Sequence, residues 1–298
     1  MKRVVLFAAV NIAVLVVIAA IVQILGLDRY LAAYGMGLTD LLVFSAIFGF
    51  GGAFVSLALS KWMAKSSMGV RVIGQPGSSG EQWLLQTVGE HARRLGLAMP
   101  EVGIFDSPAM NAFATGARRN HALVAVSSGL LNNMNGEEVR AVLGHEMTHV
   151  ANGDMVTLAL LQGVLNTFVI FLARVVGTVI DNAIGGRSEE RSGGGLFYFL
   201  TVIVLQIFFG VLATLIVMAY SRRREYRADS GGARLAGTEN MIDALRVLER
   251  TEDGPLPGQL KAFGIHDGAM RGALSRLFMS HPPLRERIAA LQAPGGAG

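Results

Sequence analysis

Four blocks of nearly uninterrupted apolar sequence dominate the hydropathy pattern. Residues 4–25, 41–59 and 196–220 carry no charge, and residues 156–180 carry only Arg174. Each is close to the ~20 residues a helix needs to cross a hydrocarbon core of ~30 Å. Helices buried in a soluble protein would be shorter and would show a polar stripe. The pattern predicts four transmembrane helices in two hairpins: residues 1–60, with spans 4–25 and 41–59, and residues 156–220, with spans 156–180 and 196–220. The polar residues collect in two segments, 61–155 and 221–298. These read as two parts of one catalytic domain, because the chemistry described below is divided between them.

Inside the first polar segment the periodicity changes. Residues 74–80 form a turn-rich loop without phosphate-loop spacing. Residues 81–95 have helical apolar spacing, and residues 102–105 and 122–126 read as short strands, with 111–115 also extended. Asn135 looks like a helix cap with Glu138 as its capping-box partner. That helix runs through Val139, Val142 and Leu143 towards Asn152-Gly153-Asp154, which separates it from the third apolar block. It therefore meets the membrane at one face, not at mid-depth. Residues 188–195 read as an extracytoplasmic turn and residues 294–298 as a disordered tail. No internal repeat is visible.

Composition agrees with the pattern. Of 298 residues, 52% are hydrophobic and 16% charged, too apolar for an ordinary soluble domain. The start Met1-Lys2-Arg3 resembles a signal peptide, but the apolar region is too long and lacks a cleavage site, so it reads as an uncleaved anchor. The pI of about 9.7 reflects topology: Lys2 and Arg3 precede the first span, Lys61, Lys65 and Arg71 follow the second, and Arg222, Arg223, Arg224 and Arg227 follow the fourth. The positive-inside rule puts both termini and both polar segments in the cytoplasm. Contact with anionic lipid follows naturally, and no nucleic-acid site is supported. With no cysteine, disulfides, thiolate metal sites and cysteine nucleophiles are excluded.

The chemistry lies in His145-Glu146-Met147-Thr148-His149. Helix residues four apart are offset by only about 40°, so both imidazoles face one way and can hold one Zn²⁺ at about 2.0–2.1 Å. Glu146 lies one step round, where it can take a proton from a water on that ion. A catalytic zinc needs a third protein ligand and an open fourth position. Glu225 and Asp229, four apart after the last apolar block, share a helix face. Glu225 can ligate, and Asp229 can accept a hydrogen bond from the far ring nitrogen of a ligand histidine. The alternative is an ordinary solvated charged face. Topology favours the pairing, because a hairpin of the third and fourth spans returns both segments to one side. His281 precedes Pro282-Pro283 and could donate to a developing oxyanion, or it could serve with Arg287 as a cap or salt bridge. His91, His121 and His266 have no supporting neighbours, and Arg174 is assigned no catalytic part.

The order of several pieces around the spans carries a resemblance. These are Pro108 to Gly116, the histidine motif with Asn152-Gly153-Asp154, Ser221 to Asp229, and His281-Pro282-Pro283 with Arg287. Together they resemble the HtpX-type membrane zinc metallopeptidases, relatives of CAAX prenyl protease type 1, over essentially the whole chain. The resemblance implies a mainly α integral membrane protein with four transmembrane helices and a cytoplasmic zincin-like α+β catalytic domain carrying a small β-sheet. It implies one zinc per chain and endopeptidase activity on misfolded or damaged membrane proteins. It also implies a bacterial inner membrane, envelope quality control under heat or envelope stress, self-cleavage, and overlap with an ATP-dependent membrane protease. It further suggests that Asn111, Ala112 and Phe113 lie on an edge strand that pairs with extended substrate. Rival readings are an intramembrane protease, a prenyl-protein protease and a non-enzymatic membrane scaffold.

Overall fold

The computed structural model describes residues 37–185, 196–252 and 281–293. The first apolar block at 4–25, the turn at 188–195, His266 and the tail at 294–298 lie outside the described residues. In chain order the elements are α1 (Leu38–Ser67), β1 (Arg71–Val72), α2 (Ser79–Arg94), β2 (Glu101–Phe105), β3 (Ala112–Thr115), β4 (Leu123–Ser127), α3 (Ser128–Asn133), α4 (Gly136–Asn152), α5 (Asp154–Gly185), α6 (Leu196–Ala236), α7 (Thr238–Glu252) and α8 (Leu284–Gln292). Among the described residues three helices, α1, α5 and α6, are long and apolar enough to cross a membrane.

The chain divides into two compact units, residues 1–54 with 160–214 and residues 55–159 with 215–298. In the first, small residues let helices approach closely. A Cβ on Gly49 would overlap Thr167, and one on Gly163 would meet the Phe50 ring. Arg174 sits with its guanidinium carbon 4.8 Å from the centre of the Phe44 ring, and its Nη1 donates to the carbonyl of Ile170 at 3.2 Å. A charge within an apolar helix thus has local partners.

The second unit is built on a four-stranded mixed sheet in the order β1-β2-β4-β3. β2 and β4 run parallel, and β3 pairs antiparallel with β4. β4 is buried along its whole length, as expected of a central Val- and Leu-rich strand covered on both faces. One face presents Val102, Val124, Val126 and Ala114 to Leu84 and Val88 of α2, Val139, Leu143 and Met147 of α4, and Met241 and Leu245 of α7. The opposite face gathers Phe105, Leu123 and Ala125 with Val70, and Phe113 packs against them. Among the described residues β3 is an edge strand.

Several elements go beyond the sequence reading, among them α7 and α8 in the second polar segment and, in the first, β1 and α3. β1 has only two residues, too few for a periodic signal. α3 is a six-residue helix capped by Ser127, whose hydroxyl accepts from Leu130 N at 3.0 Å and Asn111 N at 2.9 Å and donates to the Ala109 carbonyl at 2.7 Å. That hydroxyl pins the loop leading into β3. The cap on α4 is as read: the Asn135 side chain accepts from Glu137 N and Glu138 N, and Glu138 reaches back to Asn135 N. α4 ends at Gly153 in the left-handed region, φ 67°, which suits glycine because it has no Cβ.

Candidate metal centre

α4 delivers His145 and His149, buried and one turn apart, and α6 delivers Glu225 and Asp229 to meet them. Backbone closeness makes this possible. A Cβ on Gly144 would lie 3.2 Å from the Gly232 Cα, one on Gly232 would lie 3.0 Å from the His145 nitrogen, and one on Gly231 would overlap Thr148. The glycines let the two helices touch at the level of the histidines.

Three side chains converge there, offering two ring nitrogens and two carboxylate oxygens. His145 Nε2 and His149 Nε2 are 3.1 Å apart. Glu225 Oε2 stands 3.5 Å from the first and Oε1 3.4 Å from the second. Ligands about 2.0–2.1 Å from a tetrahedral ion are spaced by about 3.3 Å, so the triangle has the size a metal demands. These residues form a buried group able to hold a metal ion.

The far nitrogens are held as well. His145 Nδ1 is 2.9 Å from Asp229 Oδ1, and His149 Nδ1 is 2.6 Å from Asp154 Oδ2. A carboxylate beside each Nδ1 keeps the proton there and turns the Nε2 lone pair inward. Lone pairs with a carboxylate between them call for positive charge. Burial opposes a charged imidazole, yet bonds to Asp229 and Glu225 raise the pKa of His145, and bonds to Asp154 and Glu225 raise that of His149 to about 9. Burial would raise Glu225, but hydrogen bonds from His145, His149 and His281 hold it far below the usual carboxylate range. Protons or a dication would satisfy the same cluster.

Arg287, buried, grips both oxygens of Asp229: Nε donates to Oδ2 at 2.8 Å and Nη2 to Oδ1 at 2.5 Å. Burial works to raise Asp229, and the Arg287 and His145 bonds outweigh it and hold the carboxyl below its ordinary value. Arg287 Nη1 also lies 3.8 Å from Glu225 Oε2. His281 Nδ1 lies 2.7 Å from Glu225 Oε2, with its side chain largely exposed. Glu146 lines the cleft beside the triangle, together with Asn111 and Ala112. Phe113 does not join them, because alternation along the strand sends its ring to the far face of the sheet, 5.6 Å from Phe105. Sequence reasoning also missed Asp154 as a partner of His149. The signal was Gly153, whose left-handed backbone turns the chain back towards the histidine.

Comparison with known proteins gives a consistent answer. Residues 78–294 match the model of Peptidase family M48. The chain is 57% identical over 296 residues to Protease HtpX of Thioalkalivibrio sulfidiphilus, covering 98% of this chain and 99% of that one. It is 56% identical over 293 residues to the Protease HtpX homolog of Thiobacillus denitrificans, covering 98% and 99%. It is 55% identical over 297 residues to Protease HtpX of Xanthomonas euvesicatoria, covering 99% of each. The crystal structure of S. mikatae Ste24p shares the fold at a TM-score of 0.60 and 20% identity, covering 98% of this chain and 67% of that one. A buried histidine and carboxylate cluster, apolar helices of membrane-crossing length and full-length kinship to these proteases converge: the chain belongs to peptidase family M48 and is a membrane metallopeptidase.

Proposed function

We propose that the chain is a zinc endopeptidase of the bacterial inner membrane that cuts misfolded or damaged membrane proteins at the cytoplasmic face, serving envelope quality control. The observation that carries this reading is the inward convergence of two imidazole lone pairs and one carboxylate, each imidazole backed by its own aspartate. His145, His149 and Glu225 are the ligands, and zinc suits a His₂Glu set with an open position. In the full arrangement residues 4–25 supply a fourth span, both termini are cytoplasmic, and residues 61–155 and 221–298 form the catalytic domain. Self-cleavage and overlap with an ATP-dependent membrane protease complete the proposal.

Zinc bound there would supply Lewis acidity to the scissile carbonyl and acidify an adjacent water. Glu146 takes the proton from the attacking water and passes it to the leaving amine. Asp229 and Asp154 hold the histidine rings in register, and Arg287 holds Asp229. His281 donates to the developing oxyanion, a role whose loss costs about 3 kcal/mol in comparable sites. Substrate enters extended and adds to the free edge of β3 at Asn111 and Ala112, with Phe113 contributing backbone alone. The apolar residues Leu130, Val142, Met241, Leu245 and Leu248 line the same cleft as Glu146, and they receive an apolar side chain.

Purified protein tests these assignments by zinc content and casein cleavage, with and without chelator. Glu146→Gln keeps zinc and loses cleavage, while Glu225→Ala loses zinc. An active Glu146→Gln protein removes the proposed base, and chelator-resistant cleavage removes the zinc mechanism.

A further inference from the structure

α1 outlasts its apolar stretch. Its uncharged residues, 41–60, number 20, a rise of about 30 Å that matches a hydrocarbon core. The helix nevertheless continues without a break through Lys61 to Ser67, and this extension has two unlike faces. Lys61 and Lys65, one turn apart, both grip Glu101, the first residue of β2, at 2.9 and 2.5 Å, and Lys61 Nζ also donates to the His121 carbonyl at 3.3 Å. The other face carries Leu59, Trp62 and Met63 at helical spacing, with 44%, 67% and 49% of their surface exposed. This apolar stripe continues directly from the lipid-length stretch, and it places an indole two residues, or about 3 Å, beyond its end. That is headgroup depth, where an amphipathic ring with an N–H at one side is most favourably placed.

We infer that Trp62 and Met63 anchor in the headgroup layer of the bilayer while Lys61 and Lys65 clasp strand β2, so that α1 sets the height of the catalytic cleft above the membrane. The mechanical link is short. β2 pairs with β4, and β4 with β3, so the strand bordering the cleft lies two strand spacings, about 10 Å, from the strand that the lysines hold. A bilayer surface is the occupant that fits the stripe, because it continues the apolar stretch without interruption and because an indole and a thioether suit the interfacial layer between hydrocarbon and water. A cleft held at fixed height selects substrates by how far a cleavable segment protrudes from the membrane. The inference rests on the endopeptidase reading above.

The test uses the full, zinc-loaded chain in vesicles of phosphatidylethanolamine and phosphatidylglycerol. The chain has two tryptophans, so Trp83→Phe leaves Trp62 as the sole indole reporter. Lipids brominated near the headgroup end of the acyl chain should quench it more strongly than lipids brominated near the chain end. Cleavage is then measured on a membrane-anchored substrate whose cleavable segment follows spacers of increasing length. The wild type and Trp62→Tyr should share one sharp optimal spacer. Trp62→Glu should lose that optimum several-fold while cleaving casein in detergent at the wild-type rate. Quenching by neither lipid overturns the inference and assigns the stripe to water, to residues 1–36 or to a second copy. Shallow quenching with an unchanged spacer profile for Trp62→Glu overturns the height-setting role. Failure of the wild type to cleave casein overturns the peptidase reading, whereas the quenching result stands independently of it.

Discussion

Asp154 follows His149 by five positions, yet its Oδ2 reaches the ring at 2.6 Å. One helical turn would not return it there, and the left-handed Gly153 between α4 and α5 supplies the reversal. Partners of this kind typically tune metal affinity by about 10–100-fold. Asp154→Asn should therefore weaken zinc binding by that factor in a chelator competition while far-UV circular dichroism stays unchanged; wild-type affinity would remove the role. His91 shows the opposite economy. It is buried, its Nε2 contacts the Arg140 carbonyl at 3.0 Å, and its Nδ1 has no partner among the described residues. Burial pushes its pKa below 6.5. The unfolded chain then takes up a proton that the folded chain refuses, so stability is full above about pH 6.5 and falls as the pH drops below it. His91→Gln should make the melting temperature less sensitive to pH between about 7 and 5 than it is in the parent. Both roles were hidden in the sequence, because one depends on a backbone reversal and the other on packing between α2 and α4.

Elements were more legible than their contacts. Runs rich in Val, Ile and Phe announced β2 and β4, and Asn135 with Glu138 announced the start of α4, because those signals are local. The two-residue β1 and the side of the sheet that Phe113 takes are decided by pairing and register. The closeness of α4 and α6 was half legible: hairpin topology predicted that they meet, and the sequence carried Gly144, Gly231 and Gly232 without saying that they face one another. Since a methyl on Gly231 would overlap Thr148 Cγ2 and Oγ1, Gly231→Ala should part the helices by about 1 Å to restore ordinary contact. Overpacking of this kind costs about 1–3 kcal/mol. A lower melting temperature and a larger fractional loss of zinc affinity than of helix content would support this, and restoring space with Thr148→Ser should recover part of both losses.

At the scale of the whole molecule, the second unit gathers its polar pieces from far apart in the chain. Arg287 reaches Asp229 across 58 residues. Arg94 on α2 donates to the carbonyls of Arg234 and Leu235 at the end of α6, where a cation is favoured. None of these pairings has a sequence period, and the sequence reading named Arg287 beside His281 without pairing it with Asp229. Metal binding should tighten the assembly, because a ligand that binds only the folded state adds about 4 kcal/mol when present at a thousand times its Kd. Chelator should lower the melting temperature of the wild type and leave that of Glu225→Ala unmoved; equal shifts would sever the link between the metal and this carboxylate. The division of the centre between two stretches of sequence also bears on biosynthesis. His145 and His149 leave the ribosome several seconds before Glu225 at about 5–20 residues per second, and Arg287 follows later still. A nascent chain that has not yet reached Glu225 therefore holds only two of the three side chains of the centre, and the set is complete only once the second stretch has been made.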